Sequence, residues 1–223
     1  MNVMYSLYRH WTKMILSGNK PLEFRTRLPK ELDVGSTIYL YETRKHGGAG
    51  AVVGECIVKD IISVLSPEGK WPICGNYPFL EFYCENILND TAMAEHIRMC
   101  KQEFNGKPEN YRYGYLTKFM FSPESLESLR TTGETIDLMT LTIPERDKIL
   151  KDFAIADKLE LACDDWLTNI GFYNECGETN YRYGLVLSEP VRYSTPKPLS
   201  EFLDASGKPI QNAPQSFCYA SPA

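Results

Sequence analysis

The chain has 223 residues and a formal net charge of −5, with 24 Lys and Arg set against 29 Asp and Glu. A hydrophobic share of 43% and a charged share of 24% are those of a globular protein able to bury one core and carry an insertion. This balance excludes tight, indiscriminate binding of nucleic acid through a basic surface, and no apolar run is long enough to span a bilayer. The N-terminus lacks a basic stretch leading into an apolar one, which makes the cytoplasm the expected location. The seven cysteines are odd in number and no two stand in a C-x-x-C spacing; with only three histidines this leaves no zinc pattern and predicts reduced thiols.

In chain order, Met4 to Leu7 reads as a strand and Tyr8 to Ser17 as a helix. Leu7, Trp11, Met14, Ile15 and Gly18 fall on one helical face. Gly18 is a natural stop because glycine enters the left-handed region without steric cost, and Pro21 prevents continuation. From Leu22 to Arg27 the pattern alternates, so Glu23 and Arg25 leave one face of a strand, near enough to pair or to share a ligand. Thr37 to Thr43 and Ala51 to Ser63 are two further strands, joined by the glycine-rich turn His46 to Gly50.

Residues 64–108 change character, with Pro67, Pro72 and Pro78 followed by a helix-like stretch from Asp90 to Phe104. Asn110-Tyr111-Arg112-Tyr113-Gly114 is repeated as Asn180-Tyr181-Arg182-Tyr183-Gly184, each copy leading into apolar, strand-like sequence. Between them, Thr142-Ile143-Pro144-Glu145 is a capping box opening a helical region to about Ile170, with Ile155, Leu159, Ala162 and Trp166 on one stripe. The tail is proline-rich and closes with an edge strand from Gln215 to Tyr219.

The stretch from Gly18 to Arg25 contains G-x-K-x-x-E-x-R, with Gly18, Lys20, Glu23 and Arg25 in its fixed places. Following an N-terminal helix, this motif resembles the signature of ASCH domains, relatives of the PUA RNA-binding fold. Ile38 to Thr43, Val52 to Val58, Gly184 to Leu187, Pro190 to Tyr193 and Pro196 to Leu199 resemble that family's later strands. The resemblance covers roughly 1–62 and 180–219. It departs at Tyr8-Arg9, where the family commonly has Lys-Pro, leaving Arg9 to make the phosphate contact. It implies an α+β fold: a PUA-like mixed β-barrel over 1–63 and 179–223, with an N-terminal helix and a largely helical insertion over 64–178.

Charge agrees with a ligand near the motif. Residues 1–62 hold nine Lys and Arg against six Asp and Glu, whereas the remainder holds fifteen against twenty-three. Cations interleaved with Phe24, Tyr39 and Tyr41 are the mixture expected where phosphates and bases are both contacted. The expected ligand is therefore RNA, a nucleotide or a modified nucleoside, bound in a cleft around Lys20 by Glu23, Arg25, Tyr41, Arg9, Arg44 and Arg182. No cofactor or metal is required.

The resemblance also implies an alternative, because some ASCH proteins are amidohydrolases on acetylated cytidine and others ribonucleases. By position, Lys20 is then the catalytic lysine and Glu55 the acid and base. The residues after Lys20 lack the amidohydrolase threonine, and Thr43 is the stand-in. That alternative needs Lys20, Glu23, Arg25 and Glu55 to converge on one concave site. A third possibility is a protein-interaction module acting through 64–178.

Overall fold

In the computed structural model the described residues are 1–64, 77–95, 98, 158–159, 161–174 and 178–223. The first copy of the pentapeptide, with Arg112, the capping box at Thr142, and most of the stretch after residue 95 lie outside them. Residues 1–63 and 170–223 form one compact unit, and 64–169 form a second.

The first unit opens with β1 (Val3–Leu7), α1 (Arg9–Leu16) and β2 (Leu22–Arg25), followed by β3 (Thr37–Glu42) and β4 (Ala51–Ser63). After the insertion, β5 (Tyr183–Lys197), β6 (Phe202–Leu203), β7 (Phe217–Tyr219) and β8 (Ser221–Pro222) complete it. Six strands form one mixed sheet in the order β2-β5-β4-β3-β1-β7, and β6 pairs with β8. β1 runs parallel to β3, and every other neighbouring pair is antiparallel. The sheet curls into a half-barrel with β2 and β7 as its edges, so the fold is mixed α+β and the barrel is open.

Alternation along the strands gives the sheet two apolar faces. One buries Val3, Tyr5, Leu7, Ile38, Leu40, Cys56, Val58 and Leu185 beneath α1, whose Ile15 is buried and whose Trp11 and Leu16 pack alongside. The other buries Met4, Tyr39, Tyr41 and Val52 beneath Phe202, Ile210 and Ala220 from the tail. The two strand-like runs around Pro190 prove to be one long strand. Pro190 is accommodated because β4 and β5 shift register between Glu55 and Ile57, and Glu189 beside it takes φ 50°. A bulge is where a strand tolerates a residue that cannot donate.

The second unit contains α2 (Tyr77–Asn86) and a helical run over 161–169. The Trp166 ring lies 6.0 Å from Phe82 and 5.4 Å from Tyr83, centroid to centroid. The sequence stripe placed Ala162 and Trp166 inward. Instead Cys163 and Leu167 are buried, Ala162 is exposed, and the indole packs sideways against the two rings. Among the described residues no helix is long and apolar enough to cross a membrane.

Candidate ligand site

The motif folds as its composition dictates. α1 ends at Ser17, and Gly18 takes φ 79°, reversing the chain so that the Lys20 N–H reaches the Met14 carbonyl at 3.1 Å. β2 then pairs with β5, with Glu23 opposite Leu185 and Arg25 opposite Tyr183. Because Leu185 belongs to the face beneath α1, Glu23 and Arg25 point to that face too. The helix end and the sheet edge thus bring a lysine, a carboxylate and a guanidinium into one buried corner.

Lys20 is 3% exposed and Glu23 6%. The Lys20 ammonium donates to the Ile170 carbonyl and lies 3.9 Å from Glu23 Oε2. It also sits 4.5 Å from the Phe24 ring centroid and 4.9 Å from that of Trp11. Aromatic faces attract a cation and partly replace the water it has lost. Ile170 can approach because Gly171 takes φ 85° and comes so near Trp11 that a Cβ there would stand 2.7 Å from the indole. Phe24 continues into a small aromatic group with Phe172 at 4.9 Å and Tyr181 at 5.9 Å.

Arg25 lies across the face of Tyr5, its Cζ 3.9 Å from the ring centroid. Arg25 Nη2 is 2.9 Å from Glu23 Oε1, yet it makes no hydrogen bond, so the contact is an ion pair approached off the N–H direction. Arg25 Nε and the Tyr5 hydroxyl, both buried, likewise have no hydrogen-bond partner among the described residues. Buried donors in native proteins are nearly always satisfied, and an unsatisfied one costs about 1–3 kcal/mol. Two residues with such donors stand side by side next to an ion pair. Burial pushes the Tyr5 phenol up to about 12, Arg25 partly opposing it, so the group remains a donor.

Burial holds the Lys20 amine down at about 8, with Glu23 pulling it back up and Arg25 pressing it lower. Below pH 8 the lysine is charged in both folded and unfolded chains, and burying that charge opposes folding. Between about 8 and 10.5 the folded chain releases the proton while the unfolded chain keeps it, so this group makes stability rise with pH. Cys56 and Tyr5, both pushed up to about 12, act in the opposite sense once the unfolded thiol and phenol begin to ionise. The lysine's share is isolated by comparison with Lys20→Met. From pH 7 to 9.5 the wild type is expected to gain about 2 kcal/mol relative to the variant, measured by denaturant unfolding.

The other residues singled out in the sequence lie elsewhere. Glu55 pairs with Tyr39 across β3 and β4, so it stands on the face covered by Phe202, where the Tyr193 hydroxyl donates to it. Tyr41 is buried on that same face. The expected convergence of Glu55 with Lys20 is not what the strands assemble. Thr43 follows β3 at the start of α1, the opposite end of that helix from Lys20, and its N–H bonds the Leu7 carbonyl at 2.9 Å. Arg9 and Arg44 are exposed at that end too. Arg182 is exposed but adjoins the site through its backbone, whose N–H bonds the Arg25 carbonyl at 3.0 Å. Sequence reasoning missed Tyr5, the Ile170 carbonyl and Phe172. Only Tyr5 left a trace, as the one tyrosine of strand Val3–Leu7.

Helix, motif corner and curled sheet together make a mixed α+β half-barrel with a buried cationic corner. No protein-family model matches the chain, and no curated protein matches it. Among solved structures, it is similar to an ASCH protein from Zymomonas mobilis at 16% identity, over 67% of this chain and 94% of that one, with a TM-score of 0.26. A tyrosine-to-phenylalanine mutant of ASCH from that organism aligns at 29% identity over 28% of this chain, and a serine-to-alanine mutant at 31% over the same share, both with TM-scores of 0.25. The chain spans 42% and 41% of the lengths of those two mutants. The functional reading rests on the site's own geometry.

Proposed function

We propose that the chain is an ASCH-type binding module for RNA, a nucleotide or a modified nucleoside, held around Lys20, Glu23 and Arg25. The observation that carries this is the pair of unsatisfied donor groups, Arg25 and the Tyr5 hydroxyl, beside a corner with two cations and one carboxylate. An incoming phosphate or carbonyl oxygen accepts from both and balances the surplus positive charge, while Glu23 accepts from a ligand N–H. The aromatic group of Phe24, Phe172 and Tyr181 borders the lysine; the first two rings are buried, and the half-buried Tyr181 is the one with surface left for a base. The experiment is a thermal-shift screen of nucleosides, nucleoside monophosphates and short single-stranded RNAs, because a ligand bound only by the folded state raises the melting temperature. Log affinity for a short RNA is expected to fall with log salt at a slope set by roughly two to four phosphates. A slope near zero, or one typical of strongly basic duplex binders, would contradict it.

The depressed pKa of Lys20 favours a second reading, in which its amine acts as a base or nucleophile on the bound nucleoside or RNA. Unlike the alternative that needs Glu55 beside the lysine, this reading uses the amine alone, because Glu55 stands on the other face of the sheet. Turnover of acetylated cytidine or short RNA, followed by product mass, would support this reading if it vanished in Lys20→Met.

A further inference from the structure

The far end of α1 carries a second group of cations that the corner at Lys20 does not use. Tyr8, Arg9, Arg44, Lys45 and His46 are all exposed, Tyr8 at 42%. Lys45 Nζ lies 5.6 Å from the Tyr8 ring centroid, His46 meets that ring edge-on at 5.1 Å, and Arg9 Nη1 donates to the Gly47 carbonyl at 2.9 Å. The stretches 8–13 and 43–50 contain no acid.

The loop that displays these groups is tied down from inside. Glu42, the last residue of β3, is buried and uses both carboxylate oxygens there. Oε1 accepts from Thr12 Oγ1 at 3.0 Å and Oε2 from the Ala49 N–H at 2.9 Å, while its carbonyl accepts from Gly50 N–H at 2.9 Å. The Arg44 side chain lies flat on Gly50, where a Cβ would stand 2.6 Å from Arg44 Cγ. Glu42, the acid that leads into this loop, is therefore turned inward, and the loop that carries the cations is braced before any ligand arrives. Pre-ordered side chains lose less freedom on binding. An aromatic ring among phosphate-seeking cations suits a flexible strand with exposed bases better than an acidic polypeptide.

We infer that this end of α1 is a second contact for single-stranded RNA, with Arg9, Arg44 and Lys45 on backbone phosphates and Tyr8 stacking a base. The inference rests on the nucleotide reading of the Lys20 corner. It adds that the strand continues along α1, whose eight residues span about 12 Å.

The test uses the full chain, a labelled ten-nucleotide RNA of mixed sequence, the four ribonucleoside monophosphates and an unstructured decaglutamate peptide. In the double variant Arg44→Gln, Lys45→Gln, affinity for the RNA is expected to fall about tenfold and the salt slope to lessen by about one to two phosphates. Monophosphate binding should be unchanged. Tyr8→Leu, which keeps an apolar side chain before the helix, should weaken the RNA and spare the monophosphates. RNA binding no tighter than monophosphate binding, or indifferent to these substitutions, would overturn the second contact and leave the Lys20 corner standing. Decaglutamate bound as tightly as RNA, and weakened equally, would overturn it in favour of acidic polypeptides. Binding of neither RNA nor monophosphate would overturn both readings.

Discussion

Glu23→Ala is expected to destabilise the fold by about 3 kcal/mol, seen as a lower denaturant midpoint at unchanged slope. The carboxylate stands between Lys20 and Arg25, and all three are largely withdrawn from water. Its loss leaves two buried cations facing each other with nothing to balance them, the costly way to break a buried pair. The lysine then sheds its proton more readily, which moderates the loss and makes the variant recover as pH rises. Lys20→Met is the contrasting substitution, because it removes one cation and its burial cost while Glu23 keeps Arg25. That change is expected to cost about 1 kcal/mol, mostly through the Ile170 carbonyl it leaves without a donor. In the Lys20→Met background, Glu23→Ala should be clearly milder than in the wild type, a coupling that a double-mutant cycle reads directly. Additive costs would show that the three groups are not one electrostatic unit.

The second large effect concerns binding. Arg25→Met keeps the length and apolar stem of the side chain but removes the guanidinium, the group to which the proposed reading assigns the ligand oxygen. Charge-assisted hydrogen bonds contribute about 1.5–3 kcal/mol, so affinity for a nucleoside monophosphate should fall roughly tenfold to a hundredfold. Folding should suffer less than from Glu23→Ala, because Glu23 retains Lys20 and the methionine still covers the Tyr5 ring. Titration calorimetry with wild type and variant separates the two effects. Undiminished affinity in Arg25→Met would remove the guanidinium from the site.

The parts of the site legible in the sequence are those that lie close together along the chain. Gly18 ends α1, and two-residue periodicity from Leu22 sets Glu23 and Arg25 on one face, so the corner follows from local rules. Glu55 was misread because a strand's alternation says which residues share a face and not which face that is. A one-residue change of phase exchanges the two. The register of β3 and β4 sets Glu55 beside Tyr39, and no local pattern encodes that register. Ile170 and Phe172 arrive at Lys20 from 150 residues along the chain, brought by a turn whose glycine fits against Trp11. Tyr5 is fully buried in a strand where composition alone called for another apolar residue. Its hydroxyl is informative because none of the described residues accepts from it.

Tyr5→Phe tests the central claim most directly, because it deletes one hydroxyl and leaves the ring under Arg25 in place. Melting temperatures of wild type and variant are compared without ligand and with saturating nucleoside monophosphates or a short single-stranded RNA. A hydroxyl with no protein partner that serves a ligand is a burden on the unliganded fold. The variant should therefore melt at or above the wild-type temperature alone, by up to about 1 kcal/mol of added stability, and show a much smaller ligand-induced rise. A variant that is less stable alone, with a ligand-induced rise equal to the wild type's, would show that the hydroxyl serves the fold and that no ligand oxygen is held between Tyr5 and Arg25.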